Sequence, residues 1–206
     1  MTADGIEAAV ESAGLQPLTP DAAKHFQAYL ELLLKWNARL NLTAIRERED
    51  ILERHFLECI FAARQLPSGI KTLLDFGSGG GFPGLPFAIC RPEIDVTLGE
   101  SQSKKAAFLR EVVRTLNLPN VDVFNGRVET LSRKFDAVTL RAVDKMQEAC
   151  RAAEPEIAPD GYFILFVTKD SAPALVAEFD HINWAAPIPM QNSDQRILLI
   201  GRTPSL

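Results

Sequence analysis

Four glycines fall within five positions of the segment Asp75-Phe76-Gly77-Ser78-Gly79-Gly80-Gly81-Phe82-Pro83-Gly84. Packing does not ask for so many. Glycine is needed where the backbone takes a positive φ or must approach a ligand without a Cβ in the way, and a nucleotide loop needs both. The spacing narrows the ligand. A dinucleotide fingerprint begun at Gly77 requires glycine at 82, where Phe82 stands, and a P-loop requires a Gly-Lys-Ser/Thr ending that is absent. What remains is D-x-G-x-G-x-G. A second carboxylate, Glu100, closes the run Val96-Thr97-Leu98-Gly99-Glu100, and a polar turn, Gly126-Arg127-Val128-Glu129, follows the next apolar run. The alternative reading is a tight strand-to-helix turn with helix-capping carboxylates.

These stations need elements to hold them. From Lys71 onward, short runs rich in β-branched and aromatic residues alternate with helical stretches. The spacing predicts strands at Lys71 to Asp75, Asp95 to Glu100, Val121 to Asn125, Phe135 to Arg141, Gly161 to Thr168 and Arg196 to Arg202, with a further short one near Trp184. Lys104 to Leu116 reads as a helix whose face is Leu109, Val112, Val113 and Leu116. Strand and helix in alternation give a doubly wound α/β domain with a mostly parallel sheet and helices on both faces. Ligands then bind outside the carboxyl ends of the strands, where the glycine loop and Glu100 lie.

The first third reads as helical. Thr19-Pro20 starts a helix with a capping hydroxyl and a first-turn proline, and Phe26, Tyr29, Leu30 and Leu33 form its face. A polar break at Asn37 to Arg48 is expected before a second helix, striped by Leu52, Phe56, Cys59, Ile60 and Ala63 and stopped at Pro67-Ser68-Gly69. We expect residues 1–69 to form a helical extension packed on a core of residues 70–206, as one compact unit.

Asp75, Gly77, Gly79 and Gly81 resemble the first motif of the Rossmann-like methyltransferases that use S-adenosylmethionine. A sulfonium amino acid carries no phosphates, so the loop needs only close backbone passage, while Asp75 accepts hydrogen bonds from the cofactor's ammonium group. Glu100 suits the ribose hydroxyls. The turn at Val128 and Glu129 stands where such enzymes contact adenine.

Further elements resemble the RsmG (GidB) family of bacterial 16S ribosomal RNA guanine-N(7) methyltransferases. They are Lys35-Trp36-Asn37, Asn41-Leu42-Thr43, Arg54-His55-Phe56-Leu57, Phe82-Pro83-Gly84-Leu85-Pro86, Glu100-Ser101 with Lys104-Lys105, Arg127-Val128-Glu129, Arg141-Ala142 and a late Arg196. Two segments depart from it. Leu57-Glu58-Cys59 stands where the family often has Leu-Asp-Ser, and Lys169-Asp170 where a lysine-glycine pair is common. The resemblance implies methylation of ring nitrogen seven of a guanosine in the decoding-region loop of 16S rRNA. It implies a functional Arg141 at the end of the fourth strand, beside both cofactor and incoming base.

That nitrogen carries a lone pair and no proton, so no general base is obligatory, and catalysis rests on proximity and alignment. Cofactor contacts are expected at Asp75, Gly77, Gly79, Gly81, Phe82, Glu100, Val128, Glu129 and Arg141. RNA contacts are expected at Arg54, His55, Lys104, Lys105, Lys169 and Arg196. His55 reads equally as a satisfied, partly buried histidine, and Arg54 as a surface ion-pair partner of Asp50 or Glu58. Arg110 and Arg114 read as an ordinary solvated helix face.

The chain has 206 residues, 47% hydrophobic and 24% charged, which excludes disorder, collagen and coiled coil. Tyr162 to Val167 is the longest unbroken apolar run noted, far short of a membrane span. Met1 to Val10 has neither a basic start nor an apolar stretch, so a cytoplasmic protein without a targeting signal is expected. Three widely spaced cysteines, Cys59, Cys90 and Cys150, argue against a disulfide framework or a zinc cluster. A formal charge of −5 is unusual for an RNA-binding protein. We therefore expect a preassembled small subunit, or an assembly intermediate, to present the target loop to a monomer. The competing readings are a methyltransferase for a small molecule or protein, and a ribosome assembly factor that binds the cofactor without transfer.

Overall fold

The computed structural model describes residues 4–143, 145–191 and 193–205, so Met1 to Ala3 of the segment read as free of a targeting signal lie outside the described residues. The parallel strands β1 (Thr72–Phe76), β2 (Asp95–Glu100), β3 (Val121–Asn125), β4 (Phe135–Arg141) and β5 (Ile157–Thr168) build most of one sheet. Two short strands, β6 (Asn183–Trp184) and β7 (Ile188–Pro189), pair with β8 (Arg196–Arg202), which runs antiparallel to β5. The order β3-β2-β1-β4-β5-β8-β6 reverses direction between β1 and β4. That reversal opens a crevice at the carboxyl ends of β1 and β4, where Phe76 leads into the glycine loop and Arg141 ends its strand.

Four helices follow or cover these strands: α5 (Gly84–Cys90), α6 (Ser103–Leu116), α7 (Met146–Ala153) and α8 (Ala172–Glu178). α6 buries Leu109, Val112 and Leu116 as read from its spacing, together with Ala106 and Phe108. β5 begins four residues earlier than the expected Gly161, because Phe135 pairs with Ile157 and a register shift then brings Ala137 opposite Tyr162.

At the N-terminal side lie α1 (Asp4–Ser12) and α2 (Pro20–Leu40), followed by a helical stretch over 48–65. Thr19 caps α2 by accepting from the Ala22 amide at 3.2 Å. The aromatic face of α2 is buried against the rest of the chain. Tyr29 stacks on Phe82 at 5.3 Å, and Trp36 leans on Phe108 of α6 at 5.7 Å.

Two details correct the sequence reading. The break expected from Asn37 does not occur there, because α2 continues to Leu40 and ends at Asn41, which takes a left-handed conformation. Asn37 is buried and polar for a different reason. Its amide donates to the Ile45 carbonyl at 3.1 Å and its oxygen accepts from the Thr43 amide at 2.9 Å, tying the loop after α2 back to that helix. The second helix is also not uniform. α3 (Arg48–Ile51) passes into a π-helical segment, Leu52–Leu57, before α4 (Glu58–Gln65). The wider π turn sets the angular placement of Arg54, His55 and Glu58.

Candidate active site

The glycine loop turns sharply between β1 and α5. The amides of Gly77 and Ser78 both donate to the Gly99 carbonyl of β2, at 3.0 and 2.9 Å, pinning the loop to the neighbouring strand. Gly79 and Gly81 have φ of +54° and +93°. Gly81 has no alternative residue: a Cβ would lie 2.4 Å from Leu85 Cδ1 and 2.7 Å from Tyr29 Oη. The Tyr29 hydroxyl donates to the Gly80 carbonyl, so α2 fixes the loop from beneath.

Asp75 lies under this loop at 1% exposure. One carboxylate oxygen accepts from the Gly84 amide at 3.1 Å, and the other has no partner among the described residues. Burial pushes its pKa up to about 7, against the lowering effect of the Gly84 hydrogen bond. A carboxyl that holds its proton more tightly folded than unfolded stabilises fully below its ordinary pKa of 3.8, and this contribution is lost as pH rises through about 7. Relative to Asp75→Asn, the ligand-free wild type should lose on the order of 4 kcal/mol of stability between pH 4 and 8. Chemical denaturation of both proteins across that range measures it, and parallel profiles would contradict the assignment.

Glu100 is tied at both oxygens. Oε2 accepts from the Gly79 amide at 3.0 Å, and Oε1 from the Gln102 amide at 2.7 Å. It borders a cavity of about 640 Å³ lined also by Thr43, Gly77, Gly79, Phe82, Lys105 and Arg141. A second cavity of about 400 Å³ is lined by Gly77, Ser101, Gly126, Arg127, Val128 and Glu129. Gly77 and Ser101 border both, so the carboxyl ends of β1 and β2 stand at their junction.

Arg141 stands on the other side. Its side chain is 9% exposed, with the guanidinium carbon 5.8 Å from the Phe82 ring centre and 5.7 Å from that of Phe166. It donates to His55 Nδ1 at 3.0 Å, the Arg54 carbonyl at 2.7 Å and Glu58 Oε2 at 3.0 Å. A guanidinium only donates, so His55 Nδ1 accepts and the ring proton sits on Nε2, which donates to Thr43 Oγ1 at 2.7 Å. His55 stacks on Phe82 at 4.9 Å. Burial and then the Arg141 charge lower its pKa to about 3, so it is neutral throughout the physiological range. It therefore bridges the 41–47 loop, the glycine loop and Arg141.

Beyond Arg141 a third cavity, of about 410 Å³, is walled by Ile45, Met146, Phe166, Met190 and Ile197, with Arg54, His55, Glu58 and Arg196 as its titratable groups besides Arg141, and the hydroxyls of Thr168 and Ser171 at its edge. Arg141 and His55 border both this cavity and the one at the glycine loop.

Most residues singled out in the sequence thus meet along one crevice. Lys105 borders it, whereas Lys104 and Lys169 are exposed and border none of these three cavities. Arg114 pairs with Glu111 at 3.0 Å, as befits a solvated face. Asp75 does not border the crevice; it holds the loop from below. Glu58 was missed as a site residue. Its signal was a lone acid inside the apolar run Phe56-Leu57-Glu58-Cys59-Ile60.

The sequence model described as rRNA small subunit methyltransferase G (GidB) matches residues 22–183. The chain belongs to this family. A Chromobacterium violaceum protein named ribosomal RNA small subunit methyltransferase G is 43% identical over 149 residues, covering 71% of each chain. The protein of the same name from Lachnoclostridium phytofermentans is 39% identical over 163 residues, 73% of this chain and 67% of its own. Among solved structures, an O-methyltransferase from Bacillus cereus in complex with SAH superimposes with a TM-score of 0.62 at 16% identity, covering 97% of both chains. P. horikoshii TYW2 in complex with MeSAdo gives 0.58 at 14% identity, over 72% of this chain and 62% of that one. At such identities these structures speak for the fold alone.

As a member of the methyltransferase G family the chain is an enzyme, and its methyl donor is S-adenosylmethionine. The residues present fit that group. The two cavities joined at Gly77 and Ser101 are of a size for a cofactor, open backbone faces them at Gly77 and Gly79, and Glu100 and Glu129 bring carboxylates toward a cationic ligand. Among the described residues no group of His, Cys, Asp and Glu could hold a metal ion, and no helix is long and apolar enough to cross a membrane.

Proposed function

We propose that the enzyme methylates ring nitrogen seven of a guanosine in the decoding-region loop of 16S rRNA. The observation that carries this reading is the 410 Å³ cavity beyond Arg141: apolar walls for a flat base, and arginines for the phosphates beside it. When bound, S-adenosylmethionine supplies an electrophilic methyl group on a sulfonium, which an acceptor lone pair takes in line.

The chain's own residues grip, align and exclude water. Gly77 and Gly79 give the cofactor close backbone, Phe82 covers the loop, and Glu100, Val128 and Glu129 receive its nucleoside end. Asp75 sets the loop. Arg141 stands on the wall shared by the cofactor and acceptor cavities and positions the base. The acceptor nitrogen carries no proton, so neutral His55 need not act as a base and serves to orient Arg141. Arg54, Arg196 and Lys105 meet the RNA, with Lys104 and Lys169 as outlying cations.

The enzyme is read as a cytoplasmic monomer in which residues 1–69 and 70–206 act as one unit, and its acidic total charge favours a target loop presented by a preassembled subunit. Transfer of labelled methyl groups to unmodified small subunits and to the naked loop RNA tests this. Subunits should be labelled much faster, and labelling should fall steeply with salt. Equal rates on both would contradict presentation by the subunit, and label in neither would contradict the acceptor.

A further inference from the structure

Glu58 opens α4 at 3% exposure, and its two oxygens reach guanidiniums from two other elements. Oε2 accepts a hydrogen bond from Arg141 Nη2 at 3.0 Å at the end of β4, and Oε1 lies 2.7 Å from Arg196 Nη2 at the start of β8, an ion pair in close contact but without hydrogen-bond alignment. Burial raises the Glu58 pKa, and Arg141 and Arg196 act against that rise. Arg141 stands between the cofactor and acceptor cavities. Arg196 stands between the acceptor cavity and a further polar cavity of about 490 Å³ that also holds Arg54, Asp50 and Glu53. Two guanidiniums converging on one cavity repel each other, and a carboxylate between them removes that penalty and fixes their spacing.

The two arginines do not depend on it equally. Arg141 has His55 and the Arg54 carbonyl as further anchors, and rings of Phe82 and Phe166 on either side. Arg196 has only the Ser193 hydroxyl as a further side-chain partner among the described residues, at 3.2 Å. Losing the carboxylate therefore frees Arg196 first.

We propose that Glu58 is a positioning residue for the acceptor: its single carboxylate bridges Arg141 and Arg196, fixing one guanidinium beside the base and the other beside the adjoining phosphate. This rests on the acceptor reading given above. Glu58 borders the acceptor cavity but neither cofactor-side cavity, and it acts through the two arginines it holds. The length of its side chain matters less than its charge, since both partners are cations.

The test compares wild type, Glu58→Gln and Glu58→Asp by small-subunit binding, by kcat and KM for methyl transfer to unmodified subunits, and by S-adenosylmethionine affinity. For Glu58→Gln, subunit Kd and KM should rise about 30-fold and kcat should fall about fivefold. Cofactor affinity should stay within about twofold, because none of the cofactor-side cavities includes Glu58. Glu58→Asp should recover to within about fivefold of wild type. Two results would overturn the proposal: Glu58→Gln binding subunits as tightly as wild type, or losses matching the unfolded fraction in thermal melts with cofactor binding lost in parallel. Because subunit binding is read separately, failure of wild type to transfer methyl groups would refute the acceptor reading and leave the Glu58 comparison interpretable.

Discussion

Alanine at Arg141 should lower kcat/KM for small subunits about 1,000-fold, equivalent to roughly 4 kcal/mol of transition-state stabilisation. The side chain holds three separate partners, His55, the Arg54 carbonyl and Glu58, and packs between Phe82 and Phe166. Its removal leaves Glu58 paired with Arg196 alone and takes away the wall between the cofactor and acceptor cavities. Misplacement of reactants by about 1 Å is enough to lose two orders of magnitude. The loss should fall mostly on kcat, whereas cofactor Kd should rise at most about tenfold, since Gly77, Gly79 and Glu100 are untouched. Arg141→Lys should recover little, because one ammonium cannot span three acceptors set by a planar fork. A kcat for Arg141→Ala within about threefold of wild type would contradict the assignment.

Valine at Gly79 should weaken S-adenosylmethionine binding at least about 100-fold while the protein stays folded. A Cβ at this position meets only the Gly77 carbonyl, at 3.8 Å, so it projects into open space beside the loop rather than into the core. Gly79 borders the 640 Å³ cavity, and a branched side chain there takes up room needed by the ligand. The positive φ of +54° adds a backbone penalty of about 1–2 kcal/mol. Isothermal titration with the cofactor and a melting curve separate the two effects. Retained affinity would remove the glycine loop from the cofactor site. An effect on subunit assembly that survives Gly79→Val would belong to a role without transfer.

The parallel strands were legible because their apolar runs are short, β-branched and separated by helical periodicity, so β2, β3 and β4 fall at the expected residues. The glycine loop was legible because only glycine meets its backbone demands at Gly81. Asn37 was misread because a polar residue in a helical pattern looks like an end, whereas this one is buried and organises a loop through two hydrogen bonds. The π-helical turn over Leu52–Leu57 leaves no mark in the apolar stripe, yet it shapes the placement of Arg54 and His55. Glu58 and Arg141 are 83 residues apart, and no local pattern announces that they meet. What spacing could not supply was the pairing of charges across elements, which only the assembled helices and sheet provide.

The most direct test digests small-subunit RNA after methyl transfer from labelled S-adenosylmethionine and identifies the modified nucleoside by mass spectrometry. Labelled 7-methylguanosine from one site in the decoding-region loop is the expected result. Label on an exocyclic nitrogen or a ribose hydroxyl would contradict the account, because those acceptors must shed a proton and neutral, Arg141-bound His55 is not placed to take it; label on another base would contradict the acceptor itself.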